Sequence, residues 1–255
     1  AGSGLGAGLL SGLFGVGGGT LVVPLLLILG ISIHHAVGMS LVYILFASAS
    51  GSYKHYRQGN VHFSSALIIS LAAFCTIFLG VKLGVALPAK VLSYLFSALM
   101  LLVVGLFAYR THMSQKQSDT PEDPPLDAPA KAGLIGTGLV AGLFSSLFGV
   151  GGGFVMVPLL VIFSGFKIKQ AAGTSLVSIF FIALVGIVQH YYFGSLKAAL
   201  AANIIPMIAM AGAGIVGAPL GAWCNQKLPA RLLQKSFMLF ILCIMVYMFF
   251  YGQSA

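Results

Sequence analysis

Eight residues, Gly12-Leu13-Phe14-Gly15-Val16-Gly17-Gly18-Gly19, return almost unchanged as Ser146-Leu147-Phe148-Gly149-Val150-Gly151-Gly152-Gly153. Each run is followed five residues later by a proline, Pro24 or Pro158. A glycine inside a helix costs about 1 kcal/mol against alanine, so four in a five-residue window break the helix rather than continue it. A break of this kind bares backbone N–H donors. Set against the positive end of the half-helix that follows, such donors suit an anion. At membrane depth they are tolerated only where protein, trapped water or a ligand satisfies them. Gly15, Gly17, Gly18 and Gly19, with Gly149, Gly151, Gly152 and Gly153, are therefore candidate anion-binding residues.

Hydroxyls and imidazoles follow the same duplication. Ser40 matches Ser175, while Thr174 stands opposite Met39, so a site containing them is not symmetric. A serine in a membrane helix often bonds its own helix carbonyl, but the position of Ser40 and Ser175 just after each break makes them, with Thr174, candidates to line the site. His55 and His190 form a further matched pair, beside Tyr56, Tyr191 and Tyr192. Imidazole titrates near neutral pH, and the pair reads as a set of anion contacts or proton carriers. No carboxylate or cysteine completes a metal site around either, and no cofactor is called for. Neither a nucleophile–base pair nor a carboxylate dyad is found, which argues against an enzyme.

Hydrophobic residues make up 59% of the 255 and charged residues 7%, with a mean hydropathy of +1.04. A soluble domain of this size needs far more surface charge. The class is an all-α polytopic membrane protein. A net charge of +9 would fit nucleic acid, but the basic residues are scattered singly between apolar stretches, as membrane-loop anchors are. Cys75, Cys224 and Cys243 lie apart in apolar stretches and read as unpaired and inert.

Eight apolar segments, near 5–30, 36–53, 63–81, 91–109, 133–163, 170–190, 197–222 and 232–251, mostly match the ~20 residues that cross a bilayer. They fall into two four-segment repeats, 1–110 and 132–255, each with a glycine-broken first helix. The hydrophilic stretch 111–131 between them holds all four acidic residues, Asp119, Glu122, Asp123 and Asp127, among several prolines, and reads as a solvated linker. Gly4 to Leu26 aligns with Gly138 to Leu160, Gly38 to Val42 with Gly173 to Val177, and Leu87-Pro88-Ala89-Lys90 with Leu228-Pro229-Ala230-Arg231. Two topologies remain open. If the broken segments are kinked full crossings, basic residues divide almost evenly between the two faces. If they are re-entrant hairpins, only Lys82, Lys90 and Lys197 face one side, and positive-inside bias puts the linker in the cytoplasm. The second topology, preferred on that ground, makes the repeats inverted.

The paired glycine runs, each followed by Val-Pro-Leu-Leu (Val23 to Leu26, Val157 to Leu160) and then by a Gly-x-Ser-Leu element (Gly38 to Leu41, Gly173 to Leu176), resemble the TauE/SafE sulfite-exporter family over essentially the whole chain. The resemblance implies a permease for sulfite, organosulfonates or related sulfur compounds in a bacterial inner membrane. With no Asp or Glu in any crossing segment, the common carboxylate device for ion coupling is missing, and outward movement of an anion needs no coupling ion. Export is the expected direction. An ion-coupled importer and an anion channel for the same solutes are the alternatives. The expected partners are the sulfur anion, membrane lipid and, left open, a second copy in a homodimer; nucleic acid is not among them.

Overall fold

The computed structural model describes residues 2–113, 128–194 and 196–254. Among them ten helices and no strands are found: α1 (Gly2–Phe14), α2 (Gly19–Ile28), α3 (Ile33–Arg57), α4 (Phe63–Ala86), α5 (Ala89–Met113), α6 (Ala128–Phe148), α7 (Gly153–Phe163), α8 (Ile168–Phe193), α9 (Leu196–Lys227) and α10 (Ala230–Ser254). Six of these (α3, α4, α6, α8, α9 and α10) are long and apolar enough to cross a membrane. Most of the stretch read as a linker lies outside the described residues, and helix reaches it from both sides, to Met113 and from Ala128.

The first and fifth apolar segments each become two helices, because the glycine runs interrupt them. Gly15, Gly17, Gly18, Gly149, Gly151 and Gly152 all hold positive φ, between 65° and 81°, a region closed to most side chains. The prolines fall in α2 and α7, near their middles. Pro24 and Pro158 thus interrupt hydrogen bonding where each half-helix is already short.

Both interrupted segments fold back on themselves. A Cβ on Gly18 would lie 3.0 Å from Ala7 O, and one on Gly152 2.8 Å from Ala141 O, so the chain after each break returns alongside the helix it has just left. At the far end of α7, Ser164 comes back beside Gly133, near the start of α6, with a built Cβ 3.1 Å from its hydroxyl. For α2 the marker is α10. Phe14 packs on Phe237 and Phe240, with ring centroids 5.4 and 5.6 Å away, whereas Pro24 O meets the Tyr247 hydroxyl at 3.4 Å, two turns further along.

Small residues set the helix pairing, as expected where lipid supplies no hydrophobic drive between helices. α1 runs parallel to α9, Gly4 lying against Met210, Gly8 against Gly214 and Gly217, and Gly12 against Ala218 and Ala222. The same arrangement joins α6 to α4, Gly138 lying against Ile69 and Gly142 against Ala73. At the centre α3 and α8 cross antiparallel, Leu41 on Gly186 and Leu176 on Gly51, with built Cβ contacts of 3.3 and 3.2 Å. The outer faces carry large apolar side chains, such as Ile205 at 79% and Leu239 at 63% exposure. Lipid is the solvent that makes such a surface stable.

Candidate functional site

The two breaks meet. A Cβ on Gly19 would stand 2.7 Å from Gly149 O, and one on Gly153 2.6 Å from Gly15 O, so each second half-helix begins against the other break. Gly17 and Gly151 face the same two side chains, Ile44 and Ile179, with built Cβ contacts of 3.0 to 3.2 Å. These isoleucines are fully buried and match each other across the repeat. They form an apolar stop where the breaks converge.

Among the described residues, no backbone carbonyl accepts from the N–H groups of Val16 to Thr20 or of Val150 to Phe154; the first turns of α2 and α7 start with bonds to Gly18 O and Gly152 O. No side chain caps either start. Buried amides are almost always paired, so two such rows at one locus mark a place built for an acceptor. The hydroxyls of Ser11, Thr20 and Ser145 add to it. Each lies in or beside a break, is fully buried and has no hydrogen-bond partner.

The matched serines tie the repeats together. Ser175 Oγ lies 2.7 Å from Gly15 O and 2.9 Å from Ala172 O; Ser40 Oγ bonds Gly149 O and lies 2.9 Å from Val37 O. Each therefore reaches across to the first glycine carbonyl of the opposite break. The histidines act one turn earlier and within their own repeat. His55 Nε2 lies 2.8 Å from Gly12 O and His190 Nε2 2.9 Å from Ser146 O. These carbonyls sit in the last turns of α1 and α6, where backbone acceptors lose their helical partners. Both ring Nδ1 atoms are buried without a partner.

All eight candidate glycines, with Ser40 and Ser175, therefore converge. His55 and His190 stand behind the breaks rather than between them. Thr174 faces elsewhere, its Oγ1 accepting the His62 N–H at 3.1 Å. Sequence reasoning passed over Ile44, Ile179, Ser11, Ser145 and Thr20. Ile44 with Ile179 and Ser11 with Ser145 were legible as pairs in the repeat register; Thr20, opposite Phe154, carried no such signal. Asn225 makes a helix–helix hydrogen bond, its Nδ2 donating to Leu13 O at 2.6 Å. Among the described residues no group of His, Cys, Asp and Glu could hold a metal ion.

Comparison with known proteins gives the family. The chain matches the family model described as sulfite exporter TauE/SafE over residues 1–248. It is 29% identical over 222 residues to YdhB of Bacillus subtilis, called a probable membrane transporter protein, covering 86% of this chain and 85% of that one. A probable membrane transporter protein of Haemophilus influenzae is 29% identical over 262 residues, covering 95% and 94%. One from Methanocaldococcus jannaschii is 28% identical over 243 residues, covering 88% and 84%. No solved structure gives a significant match. The relatives are named as transporters and not as enzymes, and the bacterial ones agree with an inner-membrane address. With its two meeting backbone breaks and its six membrane-length helices, the chain is an integral membrane transporter and belongs to the TauE/SafE sulfite-exporter family.

Proposed function

We propose that this transporter exports small sulfur-containing anions, sulfite or small sulfonates, through a site made by the two glycine breaks. The observation that carries this reading is the pair of unpaired N–H rows, Val16 to Thr20 and Val150 to Phe154, brought to one place in the bundle core. Converging amide donors at half-helix N-termini, with the hydroxyls of Ser11, Thr20 and Ser145 beside them, stabilise a tetrahedral or pyramidal oxyanion without any fixed positive side chain. The breaks are in direct contact here, so the site is closed, and Ile44 and Ile179 must move aside for a guest.

The repeats are inverted in this reading. Parallel pairing of α1 with α9 and of α6 with α4, and the antiparallel crossing of α3 with α8, support it, because α1 and α6 then run in opposite directions. The folded-back segments are re-entrant, and the loops divide accordingly. Lys82, Lys90 and Lys197 lie on one face and the remaining ten of the 13 basic residues on the other, with the linker, in the cytoplasm. A cell interior about 100 mV negative drives each anionic charge outward with about 2.3 kcal/mol, a roughly 50-fold gradient, so export needs no coupling ion. All four acidic residues of the chain fall in the sequence between positions 119 and 127, within the hydrophilic stretch.

Proteoliposomes loaded with radiolabelled sulfite or methanesulfonate test this. Efflux is expected to speed up when the lumen is made negative. Efflux indifferent to voltage removes the electrogenic claim, accumulation that follows a proton or sodium gradient replaces export by coupled import, and no movement of any anion defeats the reading altogether.

A further inference from the structure

The two breaks share a backbone course, but the helices that end at them are finished differently. At the end of α1, the Gly12 carbonyl is met by His55 and the Leu13 carbonyl by the Asn225 amide at 2.6 Å. At the end of α6, the Ser146 carbonyl is met by His190. The alignment of Leu87-Pro88-Ala89 with Leu228-Pro229-Ala230 puts Gly84 where Asn225 stands. The packing obeys the same register, since a Cβ built on Gly84 would lie 3.0 Å from Leu147 O, the counterpart of Leu13 O. Outside its own helix, no backbone N–H meets Leu147 O among the described residues.

What Gly84 leaves open is a cavity lined by His34, Val37, Gly84, Val85 and His190, with about 10 Å³ of room, close to what one water needs. It has a polar wall. His190 is 2% exposed and its Nδ1 has no partner. At the matched place by Leu13, the Asn225 side chain, 1% exposed, fills the space with its own amide. Nearby, Lys169, which pairs with His34 in the repeat, is tied to Gln226 O at 2.8 Å.

We propose that the Gly84 cavity is the port by which the anion and its water pass between the second break and the face opposite the linker, and that Asn225 is the plug closing the equivalent port on the linker face. This rests on the transport reading and adds to it a sidedness, with one door ajar and one shut. The lining suits a small oxyanion that travels with its water: His190 Nε2 gives its proton to Ser146 O, so the free Nδ1 accepts from a water that the anion also holds.

Matched cysteines in a chain freed of Cys75, Cys224 and Cys243 test the port. Gly84→Cys and Asn225→Cys form one pair, and Val37→Cys with Ala172→Cys, both buried, form a second that shortens or barely enlarges the side chain. A charged, membrane-impermeant thiosulfonate is applied to one face of oriented proteoliposomes, with methanesulfonate as the protecting anion. Position 84 or 37 should react from the face opposite the linker roughly tenfold faster than 225 or 172 reacts from the linker face, since access to a buried thiol follows the local opening free energy. Methanesulfonate should slow the reaction at 84 or 37. Gly84→Asn should lower methanesulfonate flux about tenfold, as expected from closing the open door by roughly 1.4 kcal/mol. Equal reactivity of the matched positions, or reaction of 84 and 37 from the linker face alone, overturns the port even while the parent chain carries anions. A parent chain that carries none defeats the transport reading, whatever the labelling shows.

Discussion

The break between α1 and α2 and the break between α6 and α7 are near copies in backbone and unequal in dress. Both hold three glycines at positive φ, both receive a serine from the opposite repeat, and both have a histidine against a carbonyl in the last turn of the preceding helix. They differ in what stands beside that histidine, Asn225 or Gly84, and at the first turn after the break, Thr20 or Phe154. The lesson is a division of labour. Features that make a break possible are duplicated, because either copy fails without them. Features that tell one face of a membrane from the other cannot be duplicated, because a site with identical doors has no resting side.

The sharpest way to break the comparison is at its shared backbone. Gly15 and Gly149 hold positive φ with neighbouring backbone pressed on them; a Cβ on Gly149 would lie 2.6 Å from Val37 Cα, and one on Gly15 2.5 Å from Ala172 O. Gly15→Val or Gly149→Val is expected to abolish folded protein, read as loss of the monodisperse peak after detergent extraction. Gly6→Ala, with nothing within 4 Å of its Cβ, should leave that peak unchanged. A folded Gly149→Val protein would mean the left-handed turn is dispensable.

A smaller effect on stability, but a large one on transport, is expected at Gly17 and Gly151. Their neighbours are the flexible ends of Ile44 and Ile179 rather than backbone, and the left-handed conformation costs a side chain about 1–2 kcal/mol. Gly17→Leu and Gly151→Leu should insert and purify yet lose anion flux at least about tenfold, equivalent to roughly 1.4 kcal/mol on the barrier. Flux at the parent level in both would move the pathway away from the meeting of the breaks.

The mildest substitutions sharpen the difference between the halves. Ser40→Ala and Ser175→Ala each remove one cross-repeat hydrogen bond, worth about 1 kcal/mol, and should lower the melting temperature by a similar few degrees. The histidines should not behave alike. With Asn225 still holding Leu13 O, His55→Ala is expected to lower the melting temperature less than His190→Ala, which leaves the end of α6 with neither carbonyl met. Equal losses would show that Asn225 contributes nothing to the end of α1.

Much of the architecture was legible because it follows from composition and repetition. Glycine density in a 13-to-26 stretch of apolar residues announces a broken helix wherever the chain is placed, and the copy at 149–153 makes the announcement twice. The proposed roles of Ser40 and Ser175 were legible only as candidates. Their target, a glycine carbonyl in the opposite repeat, depends on how the halves dock. Thr174 shows the reverse, since a hydroxyl in the expected place is turned by the α3–α4 connection toward His62 N–H. Ile44 and Ile179 were invisible for a simple reason, namely that isoleucine is an ordinary residue in a membrane helix and only its neighbours distinguish it.

By itself the sequence determined the solvent and the interruptions, since these depend on hydropathy and on the backbone preferences of glycine and proline, which act locally. Tertiary structure alone decided that the interruptions touch, that each is braced by a serine from the other half, and that an asparagine stands where its partner position has only space. Those outcomes depend on distances between residues more than a hundred positions apart, and no local preference encodes a distance.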